Sequence, residues 1–62
     1  MNKQRFARLA IVISELGAIQ DEEQEAFDNM PENFQEAPQG QTMQEGLEAL
    51  EEAMSALEIF MG

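Results

Sequence analysis

Apolar residues recur along the first half of the chain at Phe6, Leu9, Ile13 and Leu16, in steps of three and four that place them on one face of a helix. Val12, Ile19, Ala26 and Phe27 continue the apolar side, and no proline interrupts Asn2 to Asn29. The spacing predicts a first helix over about residues 3–29. Its far end is expected to be wet, because Gln20-Asp21-Glu22-Glu23-Gln24-Glu25 holds no apolar residue. Pro31 stops the helix, since a proline in the interior removes a hydrogen bond and collides with the preceding turn. Asn29 can cap a short new turn with Glu32 three residues on, and Pro38 and Gly40 mark a loop, so residues 30–41 read as the turn.

A second pattern follows. Met43, Leu47, Leu50, Met54, Leu57 and Met61 alternate steps of four and three without a miss, the seam of helix-on-helix packing. Thr42-Met43-Gln44-Glu45 in front of it has the form of a capping box, which predicts a second helix over about residues 42–61. Small residues form a row on each helix: Gly46, Ala49, Ala53 and Ala56 on one, Ala7, Ala10, Ser14 and Gly17 on the other. Such rows let helix axes approach closely, although alanine is also simply the best helix former.

Folding the chain into an antiparallel hairpin sets the large residues against one another: Phe6 with Phe60, Leu9 with Leu57, Val12 with Met54, Leu16 with Leu50 and Ile19 with Leu47. In this register the first helix is longer by about seven residues, roughly 10 Å, so its acidic end should overhang, with Met30 and Phe34 covering it. Lys3, Arg5 and Arg8 would lie near Glu51, Glu52 and Glu58, a pairing of small value at an exposed surface.

At 62 residues and 7.0 kDa the chain is short for a self-sufficient core, and it has no Cys or His with which to build a disulfide or a zinc site. Association is the remaining remedy. The expected fold is therefore all-α: an antiparallel helical hairpin made of a long helix, a turn containing Pro31 and Pro38, and a second helix, pairing into a dimeric four-helix bundle. Leu9, Val12, Ile13, Leu16, Ile19, Leu47, Leu50, Met54 and Leu57 would form the hairpin and dimer core. Ile11 and Ile59 break the polar backs of the two helices toward the same end. With Phe6 and Phe60 they make a candidate apolar contact patch, although single exposed isoleucines are ordinary on protein surfaces.

Thirteen acidic residues against three basic ones give a formal charge of −10. That charge repels nucleic-acid phosphates and anionic membranes, so direct nucleic-acid binding is not expected. It suits attraction to a basic protein surface, and it also suits a device for solubility. The candidate partner-binding face comprises Glu15, Glu22, Glu25 and Asp28 with Glu45, Glu48, Glu51 and Glu52, spread along a rod about 30 to 40 Å long that could imitate the charge of a DNA backbone. Leu9-Ala10-Ile11-Val12-Ile13 follows Lys3, Arg5 and Arg8 in the manner of a signal peptide, but Ser14 and Glu15 end it after five residues. Neither a secretory segment nor a membrane span is expected, and a cytoplasmic protein is the default.

Catalytic chemistry finds little material. There is no His, Cys or Tyr, and no base stands ready to activate Ser14, Thr42 or Ser55. The carboxylates fall on wet faces rather than in a dry pocket that would tune them for acid/base work. A di-metal bundle would need a Glu-x-x-His pair, and Asp28, Glu32 and Glu36 cannot form an EF-hand loop around Pro31 without a glycine at the sixth position. No enzyme, cofactor or metal is expected.

The stretch Asp21-Glu22-Glu23-Gln24-Glu25-Ala26-Phe27-Asp28-Asn29-Met30-Pro31-Glu32-Asn33-Phe34-Gln35, with the Leu/Ala/Glu-rich helix after it, is similar to small acidic helical accessory proteins encoded by bacteriophages and prophages. The resemblance covers roughly residues 20 to 58 and is most specific at the Asp28-to-Phe34 turn; Met1 to Ile19 lies outside it. It implies no catalytic residues. It implies a phage protein that binds and blocks a host protein, defence systems included, in the host cytoplasm. The functional expectation is thus a stoichiometric inhibitor that works as a homodimer. Two alternatives stand beside it: a structural or assembly bundle, and an oligomeric sponge that holds a small anionic ligand through Arg5 and Arg8.

Overall fold

The first helix starts where a side chain can replace a missing backbone acceptor: Asn2 Oδ1 accepts from the Arg5 backbone N–H at 2.8 Å. The computed structural model describes residues 2–62, and every regular element among them is helical. Helix α1 spans Lys3–Asp28, α2 is the single turn Glu32–Gln35, and α3 spans Pro38–Met61. Helices α1 and α3 pack side by side as the arms of a hairpin measuring 48 × 16 × 13 Å, and α2 closes one end against α3.

The turn is built differently from the sequence expectation. Asn29 does not cap a new helix; it closes α1, its N–H reaching back to the Glu25 carbonyl at 3.0 Å. Pro31 caps α2 without a side-chain bond, its carbonyl accepting from the N–H groups of Phe34 and Gln35 at 2.9 and 3.1 Å. Nor does the second long helix wait for Thr42. It begins at Pro38, four residues earlier than the capping-box reading, and Thr42 Oγ1 donates to the Pro38 carbonyl at 3.0 Å instead of capping. The cause is Pro38 itself. Proline pushes the preceding residue out of the helical region, so Ala37 sits extended at φ −72° and ψ 163°, and its own fixed φ suits the first helical position. Gly40 then lies buried inside α3, where the helix crosses the end of α2.

Gln35 holds this corner together. Its side-chain Nε2 donates to the carbonyls of Phe27 at 2.9 Å and Met30 at 3.1 Å, supplying donors to the C-terminal end of α1. Gln35→Glu should cost about 2 kcal/mol, because a carboxylate cannot donate and would face two carbonyl oxygens. Gln35→Ala should cost about 1 kcal/mol, with water reaching the freed carbonyls. Urea unfolding of the two variants side by side checks the order.

The register also departs from expectation, by about one helical turn. A methyl group on Gly17 would stand 3.4 Å from Cε of Met54, Ile19 shares a recess with Leu50, and Leu9 and Val12 share one with Phe60. The pairs Val12 with Met54 and Phe6 with Phe60 give way to these, while Ile19 keeps Leu47 as a neighbour in the same recess. Starting α3 at Pro38 shortens the connection and draws its first half over the acidic half of α1. Among the described residues Phe27 and Leu47 are consequently the buried large apolar ones, each 8% exposed. What protrudes is the basic N-terminal end of α1 rather than its acidic end, so Glu51 and Glu52 fall about 10 Å or more along the rod from Arg8. Phe34, expected to cover an acidic overhang, is half in solvent at 52% exposure, while Met30 is half-buried.

Along α3 the seam is unbroken: Met43, Leu47, Leu50, Met54, Leu57 and Met61 are all buried or half-buried. On α1 the inward positions are Leu9, Ile13, Leu16, Gly17, Gln20 and Phe27, with Gln20 interrupting the apolar run.

Candidate interaction surface

Every one of the 13 acidic side chains is exposed, and all three cations lie in the first eight residues. The hairpin is therefore polarised along its length, with Lys3, Arg5 and Arg8 at the open end and carboxylates from Glu15 onward. A rotation of about 100° per residue decides where each carboxylate points. On α1, Glu15, Glu22 and Glu25 lie on the back, away from α3, and Asp28 lies toward one side, accepting from Gln24 Nε2 at 3.0 Å. On α3, Glu45, Glu48 and Glu52 lie on the opposite back. These seven residues thus form two acidic outer edges rather than one continuous face. Each edge runs into an exposed isoleucine at the open end: Ile11 on α1, 69% exposed, and Ile59 on α3, 79% exposed.

Phe6 and Phe60 belong to the same end but point to different sides of the hairpin. Phe60, 65% exposed, lines a recess of about 360 Å3 with Arg5, Arg8, Leu9 and Val12. Of the residues assigned to the core, Leu9, Ile13, Leu16, Leu50, Met54 and Leu57 are half-buried and Leu47 buried, whereas Val12 and Ile19 remain 49% and 45% exposed in the single hairpin.

Two further recesses flank the seam. One, of about 240 Å3, is lined by Gln20, Gln24, Gln44, Glu48 and Glu51 over a floor of Phe27 and Leu47. Amide oxygens and carboxylates around an apolar floor suit the long stem and charged head of a lysine or arginine. Gln20, Gln24, Gln44 and Glu51 were not singled out together from the sequence. The available signal was Gln20 at a seam position, where a polar residue breaks an apolar stripe. The other recess, of about 360 Å3, is apolar and lies on the opposite side, lined by Ile19, Met43, Gly46, Leu47 and Leu50, with Thr42 and Glu23 at its rim.

Among the described residues no three acidic side chains converge to hold a metal ion, and no helix is long and apolar enough to cross a membrane. No family model matches this chain, and no curated protein or solved structure matches it either.

Proposed function

We propose that this chain is a phage-type binding protein that inhibits a host protein stoichiometrically, working as a homodimeric four-helix bundle whose acidic exterior engages a basic surface. The observation that carries the reading is the amide and carboxylate recess over Phe27 and Leu47, bordered by Glu48 and Glu51 and set among uniformly exposed acids. A basic side chain of the target enters it, the carboxylates of Glu22, Glu25, Glu45 and Glu52 on the two outer edges steer the encounter, and Ile11 and Ile59 supply apolar anchors at the open end. A protein of strongly acidic net charge, with no His, Cys or Tyr and no base placed to activate a hydroxyl, fits action by occupying a target rather than altering it. The sparse core of a single hairpin supports the dimer, since two buried apolar side chains among the described residues hold little against chain entropy.

The experiment is capture from host lysate with quantified salt dependence. Replacing Glu22, Glu25, Glu48 and Glu52 together by glutamine is expected to weaken capture of one basic host protein at least 100-fold at low salt while helicity is kept. Undiminished capture by that variant would refute the electrostatic reading.

A further inference from the structure

The side of the hairpin away from the amide recess is apolar. Val12 and Ile19, one heptad apart, line α1 there, and Gly46, Ala53 and Phe60, also one heptad apart, line α3. Its two ends carry opposite charge and opposite shape: Arg5 and Arg8 beside the protruding Phe60 at the open end, Glu23 beside the recess over Gly46 at the turn end. We propose that a second copy of the chain covers this side with its turn at the opposite end, so that Phe60 enters the recess over the second copy's Gly46 and Arg8 meets the second copy's Glu23. The inference rests on the dimer reading given above and specifies its face and orientation.

Three observations converge on it. The first is symmetry. Val12 and Ile19 are equidistant from the Glu15–Leu16 bond, and so are Arg8 and Glu23; Ala53 lies midway between Gly46 and Phe60. Because Gly17 stands against Met54, the Glu15–Leu16 bond and Ala53 lie within about 4 Å of the same level along the rod. One two-fold axis midway between those levels therefore brings Val12 toward Ile19, Arg8 toward Glu23 and Phe60 toward Gly46, each to within about 4 Å along the rod and each contact made twice. The second is shape: a Cβ on Gly46 would meet nothing within 4 Å, and the recess around it is walled by Ile19, Met43, Leu47 and Leu50, with Thr42 and Glu23 at the rim. The third is charge. Turns at opposite ends bring cations onto carboxylates, whereas turns at the same end would gather Arg5 and Arg8 of both copies. The chosen side also leaves the amide and carboxylate recess outward.

The test uses the full chain, which has no cysteine of its own. Ala53→Cys sits on the proposed axis and should form a disulfide dimer on mild oxidation, while Ser55→Cys, on the polar side, should not. By sedimentation equilibrium, Phe60→Ala should weaken the dimer about 100-fold, and adding Gly46→Leu should recover at least tenfold by filling the vacated space. Arg8→Glu should weaken it and Glu23→Arg in the same chain should restore it; circular dichroism confirms that each variant keeps its helices. A dimeric mass with no Ala53→Cys bond and no recovery by either pair would overturn this interface while leaving the dimer intact. A helical monomer at on the order of 100 µM would overturn both. A small anion that co-purifies with a monomer and is lost on Arg8→Ala would likewise overturn it, by giving the arginine recess another occupant.

Discussion

Gly40→Ala is expected to lower the stability of the protein by about 3 kcal/mol, the upper end of the usual overpacking range. A Cβ at this position would overlap the backbone carbonyl oxygens of Phe34 and Gln35. Those atoms belong to the turn of α2 and cannot swing aside as a flexible side chain would. Either α3 must lift away from α2, or the corner that Gln35 ties to Phe27 and Met30 must open. Alanine is otherwise the better helix former by about 1 kcal/mol, so the sign of the change isolates the steric cost. Gly46→Ala supplies the control. Nothing lies within 4 Å of its added methyl in the single hairpin, and at protein concentrations too low for association it should raise stability by about 1 kcal/mol. Thermal unfolding followed by circular dichroism at fixed concentration compares the two. A neutral Gly40→Ala would mean that α2 does not pack on α3 in solution as described.

Leu47→Glu should abolish folding. Leu47 and Phe27 are the buried apolar pair, and the new carboxylate would lie against Phe27 with Glu48 and Glu51 nearby. Burying an unpaired charge costs several kcal/mol before the repulsion is counted, and a chain of this size has little margin to lose. Loss of the helical circular dichroism signal at neutral pH is the expected result; persistent helicity would show that α3 does not bury this position. Leu50→Glu should act differently from Leu47→Glu. Leu50 is only half-buried at the edge of the apolar recess, so its carboxylate can reach water, and the loss of helical signal should be smaller than for Leu47→Glu.

The contrast between these positions shows how far the sequence could be read. The α3 seam from Met43 to Met61 is legible because its period is local: steps of four and three fix one face whatever lies opposite. The same holds for the outward placement of the carboxylates, which follows from the angle between neighbouring residues. The start of α3 was not legible from the capping box alone. Thr42 and Glu45 offer a sound local cap, but Pro38 offers an earlier one, and Gly40 is tolerated within the helix because the space it leaves is occupied by the backbone of α2. The amide recess was equally hidden. Gln20, Gln24, Gln44 and Glu51 are scattered over two helices and become neighbours only in the observed register.

By itself, then, the sequence determined two long amphipathic helices, the break near Pro31 and an exterior of one dominant charge, since each depends on residues a few positions apart. The tertiary structure decided which turn of one helix meets which turn of the other. Antiparallel seams of similar residues fit at several offsets one turn apart, and local periodicity scarcely separates them. The choice fell to the crossing at Gly40, the Gln35 bonds to Phe27 and Met30, and the burial of Phe27 against Leu47, all of which join residues distant along the chain.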